Sequence, residues 1–306
     1  MELTSGQMVS LCVGMSIGMS IGMSSCNWFN PYDTPKTNDS IQAVSYFLPL
    51  DNDSSVCFIS KSQSHHIPNE ILSQDLCIEV SGNGDFAPII SCSQVTSDTA
   101  SVWVHTSELE ESEPGDSIHV LIESSEFKAI MGSAVVPQRP IVAGYDLSPR
   151  TWISGDKIFD ELKVHFNDPS PNSDQYMLQL IRSIDTIGAP PPRLINIKTE
   201  DPNLQVRKFG RAALDNALLL NDAHWTDDLY SAEFRTRNNI EEGVPYHYTL
   251  LVHGISIEMA RFFNDLENGD FYGTFTSGSE NFVRSNLSGA EGCFGVMRTE
   301  TILIFP

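Results

Sequence analysis

The sequence predicts a mainly β protein of immunoglobulin-like β-sandwich architecture, with two β-rich domains and one short helix near 256–266. Three observations predict it. Short apolar runs recur along the chain, broken by Asp, Asn, Ser, Gly and Pro. Several runs alternate with period two: Ala100, Val102 and Val104 oppose Ser101, Trp103 and His105, and Tyr248, Leu250 and Val252 oppose His247, Thr249 and His253. Alternation with turn residues between runs is the pattern of antiparallel sheets packed on one face. Only Ser256–Leu266 has a helical stripe, with Met259, Phe262, Phe263 and Leu266 near one face and Ser256 placed to cap it.

Residues 1–25 read as a lipoprotein signal peptide. Met8 to Met23 interleave apolar residues with Ser and Gly, and Met23-Ser24-Ser25 leads into Cys26. An apolar stretch of about 7–15 residues followed by small residues is the mark of an export signal, although no Lys or Arg precedes Lys36. The tract is too polar for a membrane-spanning helix, which needs roughly 20 mostly apolar residues. Cys26 is therefore the expected lipidation site, with the membrane reached through its acyl chains. Gly14-Met-Ser16-Ile-Gly18 and Gly18-Met-Ser20-Ile-Gly22 match the nucleophile-elbow pattern. That motif has meaning only between a strand and a helix, and here it lies in the expected leader.

Residues 26–40 are rich in Pro, Asn, Asp and Thr and read as a tether. Beyond it the expected strands are Ile41–Leu50, Val56–Ser60, Leu76–Val80, Ala100–Thr106, Ser117–Ser124 and Ala129–Val136. A second set is Glu161–Phe166, Gln175–Ile184, Tyr230–Thr236, Tyr246–Gly254 and Thr301–Phe305. Leu214–Leu220 reads equally as a helical turn or a strand. Pro137 and Pro140 interrupt sheet pairing, so residues 41–140 are taken as the N-terminal β-sandwich domain and 141–306 as the C-terminal β-rich domain.

The 306 residues carry 40 Asp and Glu against 18 Lys and Arg, a formal charge of −22. Such a chain repels phosphate backbones, so no nucleic-acid partner is expected, and it lacks a polybasic membrane patch. Beyond Cys12 and Cys26 the cysteines are Cys57, Cys77, Cys92 and Cys293, without a C-x-x-C pair. In an exported chain Cys57, Cys77 and Cys92 could oxidise in some pairing, or remain buried thiols.

Taken in order, these features resemble a known family, the Bacteroidota outer-membrane lipoproteins described as "domain of unknown function 4249". The resemblance is carried by Ser24-Ser25-Cys26, by Val135-Val136-Pro137 with Pro140, and by Leu162-Lys-Val-His-Phe166-Asn-Asp168-Pro169 before the strand at Tyr176. It continues through Asn221-Asp222 and Asp227-Asp228 into Ser231–Thr236, then the helical Ser256–Leu266. The close, Asn286-Leu287-Ser-Gly289-Ala-Glu-Gly292-Cys-Phe294-Gly295, departs from the family pattern at Ala290 and Glu291. The likeness implies an outer-membrane lipoprotein often encoded near TonB-dependent transporters, which makes a TonB-dependent receptor the expected partner, and no established activity.

No catalytic constellation, cofactor or metal site is legible. Asp168 before Pro169 reads as turn chemistry, since Ca²⁺ wants about six to eight oxygens and only Asp174 lies nearby. Asp51/Asp53 and Asp222/Asp227/Asp228 read the same way. His65 and His66 are adjacent and would point to opposite faces of a strand. His247 and His253 are expected to be exposed or partner-facing. Trp28, Trp103, Trp152 and Trp225 are scattered and default to core packing. The seven acids of Glu108–Glu126 read as a solvated hairpin face. Asn286, Gly289, Gly292, Phe294 and Gly295 form the one candidate partner or ligand loop; the competing reading is a bend that seats Phe294 in the core. The function expected is a non-enzymatic outer-membrane accessory or cargo-binding partner of a TonB-dependent transporter. A carbohydrate-binding or adhesive surface protein is the alternative, and a metal-assisted hydrolase the remote third.

Overall fold

The computed structural model describes residues 42–51, 54–61, 76–82, 89–93, 99–105, 109–124, 127–154, 157–167, 174–186, 188–201, 204–207, 217–221, 229–268 and 285–306. Cys26, the tether, His65, His66, Asp53, Asp168, Asp222, Asp227, Asp228, Trp28 and Trp225 lie outside them. Among the described residues the protein is mostly β, with one short helix, and its sheets pack as β-sandwiches. Among the described residues no helix is long and apolar enough to cross a membrane.

The chain divides into two compact units, residues 1–136 with 256–297, and residues 137–255 with 298–306. The first begins with β1 (Gln42–Pro49), β2 (Ser54–Lys61), β3 (Leu76–Gly82), β4 (Ile89–Ser93), β5 (Thr99–His105), β6 (Ser117–Ser124) and β7 (Phe127–Val135). The second holds β8 (Val142–Ser154), β9 (Lys157–Asn167), β10 (Gln175–Ile184), β11 (Arg193–Leu194), β12 (Ile197–Lys198), β13 (Leu204–Arg207), β14 (Ala217–Asn221), β15 (Leu229–Asn238) and β16 (Tyr246–Ile255). The helix α1 (Ile257–Asn268) and β17 (Leu287–Ser288) return to the first unit, and β18 (Glu291–Ile304) gives its residues to Met297 to the first and the rest to the second.

In the first unit β18, β1, β2 and β5 are neighbours in one sheet, and β17, β7, β6, β3 and β4 in the other. Alternation decides which side chains meet between them. Val44, Tyr46 and Leu48 of β1, Phe294 and Val296 of β18, Ile78 and Val80 of β3, and Ile118, Val120 and Ile122 of β6 form one buried cluster. Phe47, on the opposite face of β1, packs on Phe263 of α1 at 5.5 Å between ring centroids. Ser256 caps α1, accepting from the Met259 N–H at 3.4 Å.

In the second unit one sheet runs β13, β14, β10, β16 and the end of β18, with β11 beside β10; the other runs β12, β15, β9 and β8. Leu162, Val164 and Phe166 of β9 meet Leu178, Leu180, Tyr248, Leu250 and Val252 in a second buried cluster.

Several sequence expectations differ from this arrangement. Ser256–Met297 packs with the first unit, although the sequence division assigned it to the second domain at 141–306. The cause is the pairing of β18 with β1, which is parallel, with Val44 opposite Gly292 and Tyr46 opposite Phe294. Long-range parallel pairing leaves no local trace in alternation. The strand β8 is longer than most, is absent from the expected strands, and contains Gly144 and Pro149. They are tolerated because β8 is an edge strand whose register with β9 shifts at Val142/Gly144 and Ser148/Trp152. Of the ambiguous Leu214–Leu220 segment, the described residues from Ala217 onward belong to the strand β14.

Candidate functional site

Of the two readings of the 286–295 segment, the bend that seats Phe294 in the core is the one its geometry fits. Asn286 precedes β17, Gly289 sits in the bend after it, and Gly292, Phe294 and Gly295 lie within β18. Phe294 is fully buried against Tyr46, ring centroids 5.4 Å apart. The arrangement has a steric cause. Gly292 has φ of 126°, and a Cβ there would fall on the carbonyl of Val44 in the neighbouring strand. At Gly295 a Cβ would come within 2.8 Å of the Met259 Cβ of α1. These glycines allow close approach of backbone and helix rather than loop freedom. Asn286 accepts from the Phe294 N–H at 2.9 Å and donates to the Phe294 carbonyl at 2.7 Å and the Ser133 carbonyl at 2.9 Å.

His253 is also corrected. It was expected to be exposed, but it is buried, with Nδ1 2.8 Å from Thr299 Oγ1 and Nε2 3.2 Å from Gln179 Oε1. Burial lowers its pKa from 6.5 to about 4. The sheet here is covered on both faces, so the polar set of the alternation, Thr249 and His253, is buried together with the apolar one. His247 is partly exposed and pairs with Asp185, Nδ1 to Oδ1 2.9 Å.

Two polar constellations in the second unit were not found from sequence. In the first, Asp160 is fully buried. Its Oδ2 accepts from the Tyr248 hydroxyl at 2.6 Å and the Tyr246 hydroxyl at 2.7 Å. Its Oδ1 accepts from the Arg150 N–H at 2.8 Å and from Asn238 Nδ2 at 2.9 Å. Burial first, then the Asp160 carboxylate, push the pKa of both tyrosines upward, so they remain donors. Arg150 has a left-handed φ of 56° inside the bulged stretch of β8, and its guanidinium donates to the Ile240 carbonyl at 3.1 Å. Both carboxylate oxygens are engaged by at least two donors, which suits a structural clamp for the bulge more than a reacting acid. The sequence signal was present: Asp160 is in register with inward-facing Leu162, Val164 and Phe166.

The second constellation joins Ser231, His165 and Asp146, one residue on each of β15, β9 and β8. His165 Nδ1 lies 2.8 Å from Ser231 Oγ, and Nε2 lies 3.1 Å from Asp146 Oδ2. The residue types are those of a nucleophile, base and orienter. Acyl transfer also needs N–H donors aimed at the developing oxyanion. Amides of a regular strand lie in the plane of the sheet and not above its face, where the Ser231 hydroxyl stands. Asp146 is 74% exposed, so solvent competes for its carboxylate and the ring is weakly held. The string is best understood as cross-strand hydrogen bonding on a solvated face. Three residues at 146, 165 and 231 gave no sequence signal because only the pairing of three strands brings them together.

Among the described residues no group of three or more His, Cys, Asp or Glu could hold a metal ion. Cys57 and Cys293 are buried free thiols whose pKa values burial pushes up, so they are poor nucleophiles. Cys77 is disulfide-bonded, and in the β3–β4 register Cys92 lies directly opposite it.

No protein-family model matches the chain, and no curated protein matches it. Among solved structures it is similar to a red sea bream transglutaminase, at 10% identity over 89% of this chain and 32% of that one, with a TM-score of 0.21. It is also similar to the Fcho1 Mu homology domain of Danio rerio with bound Eps15 peptide. That match has 11% identity over 86% of this chain and 93% of the other, with a TM-score of 0.19. The chain thus spans about a third of the transglutaminase's length, and at these scores neither likeness bears on function.

Proposed function

We propose that the protein is a lipid-anchored, non-enzymatic binding module of a bacterial outer membrane, acting as accessory or cargo partner of a TonB-dependent transporter. The observation that carries the reading is the apolar tract ending in Met23-Ser24-Ser25-Cys26. Several acyl chains on one cysteine suffice for stable attachment, since each buried methylene contributes about 0.8 kcal/mol. The disulfide at Cys77 supports an oxidising compartment, as expected of an exported chain. The polar constellations of the second unit are consumed in holding strands together, which supports recognition by surfaces and sheet edges over catalysis. The sequence resemblance to the "domain of unknown function 4249" lipoproteins supports the same location and partner.

The test is intact mass of the native protein purified from its own membrane, with stoichiometric analysis of what co-purifies. The reading expects a chain starting at an acylated Cys26 together with a TonB-dependent receptor. An unmodified Cys26 would remove the anchor. An acylated but solitary protein would remove the transporter partner and leave the adhesive or carbohydrate-binding role.

A further inference from the structure

The negative charge is concentrated in one unit. Residues 1–136 and 256–297 hold five Lys and Arg against 23 Asp and Glu, a formal −18; the other unit holds 13 against 17, a formal −4. The sheet faces differ in the same sense. On the outer face of β12, β15, β9 and β8, charges are paired across strands: Lys163 with Glu233 at 2.9 Å, and Arg235 with Glu161 at 3.0 Å and Glu200 at 3.2 Å. That face carries its own counter-charges.

The outer face of β17, β7, β6, β3 and β4 does not. Its central row sets Met131 opposite Leu121, and Leu121 opposite Glu79. The adjoining row sets Glu123 opposite Cys77. Met131 is 53% exposed and Val135 39%, while the core-facing side chains of the same strands are buried. Hydrogen bonds from the Gly115 N–H to the Val136 carbonyl, and from the Val136 N–H to the Asp116 carbonyl, tie an acidic turn to the Val135 end of the face. That turn exposes Glu110, Glu111 and Glu113. Among the described residues no ion pair neutralises these three, Glu79 or Glu123. Lys128 is the only Lys or Arg in the five strands.

We infer that this face docks a protein partner whose matching surface is basic, with apolar side chains set between its cations. Apolar side chains interleaved with acids of one sign that no ion pair neutralises are what a complementary interface needs, and the field of the whole unit would speed encounter with a cationic partner. Anionic lipid and nucleic acid are repelled by the same field. The inference deepens the binding reading above and rests on it only for the claim that the protein works by binding.

The test uses the full chain and two twelve-residue probe peptides, one alternating Lys and Val, the other Glu and Val, read by fluorescence anisotropy. The Lys peptide should bind and weaken with added salt; the Glu peptide should not bind. Glu79→Lys with Glu123→Lys should weaken the Lys peptide about tenfold or more, and Met131→Gln about threefold. Glu241→Lys with Glu242→Lys makes the same change in net charge on the second unit and should leave affinity within about twofold. Equal losses in the two double variants would overturn the inference, because then only net charge matters. Binding of both peptides alike would overturn it too. If the reversals fail to fold, Glu79→Gln with Glu123→Gln reads the same face. Loss of the peptide result with an acylated, receptor-bound native protein would sink this face and not the binding reading.

Discussion

The side-chain amide of Asn286 takes both main-chain groups of Phe294, accepting from its N–H at 2.9 Å and donating to its carbonyl at 2.7 Å. The second amide hydrogen reaches the Ser133 carbonyl on β7 at 2.9 Å, so one side chain staples the two facing sheets of the first unit. Asn286→Ala would remove three hydrogen bonds and leave main-chain groups beside a fully buried ring without partners. At about 0.5–1.5 kcal/mol net per bond, and more where a buried group is orphaned, the loss should be about 2–4 kcal/mol. Urea unfolding would measure it. A midpoint shift equivalent to under about 0.5 kcal/mol would mean that water replaces the amide. Asn286→Asp should lose a similar amount, because it keeps the acceptor and presents charge to two carbonyls.

Gly292 and Gly243 separate backbone conformation from close approach. Both have positive φ, 126° and 85°, but only Gly292 has a neighbour in the way, the Val44 carbonyl; Gly243 faces open space. Gly243→Ala should cost about 1–2 kcal/mol, the left-handed penalty alone. Gly292→Ala must also push β1 from β18 and should cost at least twice as much, read as a larger fall in thermal midpoint. Equal effects would show that the β1–β18 pair yields without strain.

The strands Ser117–Ser124 and Gln175–Ile184 were legible to the residue because a clean apolar run ends at turn residues on both sides. Helix α1 was legible because its stripe has a different period and Ser256 precedes it. What was not legible depends on pairing. Gly289, Gly292 and Gly295 read as a loop or as a bend that seats Phe294, and only long-range packing decides between them: Gly292 lies against Val44 of β1, Gly295 against Met259 of α1 and Gly289 against Ala129 of β7. His253 read as exposed because alternation shows which residues share a face, not whether that face is covered. Asp160 could have been found, since an acid in step with Leu162, Val164 and Phe166 must have partners, but the partners come from β8, β15 and β16.

The buried His253 links stability to pH. Its folded pKa of about 4 lies below the ordinary 6.5, so the unfolded chain binds a proton that the folded one refuses. Between those values the unfolded state gains protons as pH falls, and stability is lost on acidification; above about 6.5 the contribution is complete and flat. The span corresponds to roughly 3 kcal/mol at full effect. Urea midpoints at pH 7, 5.5 and 4.5 should fall steadily, and the fall should be shallower in His253→Gln, which keeps contacts to Thr299 and Gln179 without titrating. Identical slopes in the two proteins would assign the acid sensitivity to carboxylates elsewhere.

Asp160 should be the most sensitive single position in the second unit. Tyr248→Phe removes one hydrogen bond to a charged acceptor and should cost about 1.5–3 kcal/mol. Asp160→Ala removes the acceptor for all four donors at once, at a fully buried position, and should cost about 3–5 kcal/mol or more. The two changes also differ in where they act. Loss of the Tyr248 hydroxyl leaves the Arg150 N–H bonded to Oδ1, so the left-handed residue in β8 keeps its anchor. Loss of the carboxylate frees it. Hydrogen exchange at the Arg150 amide should therefore stay slow in Tyr248→Phe and become fast in Asp160→Ala, beyond what the change in global stability explains. An amide equally protected in both would mean that the bulge in β8 is held by its strand pairing with β9, and that Asp160 serves the tyrosines alone.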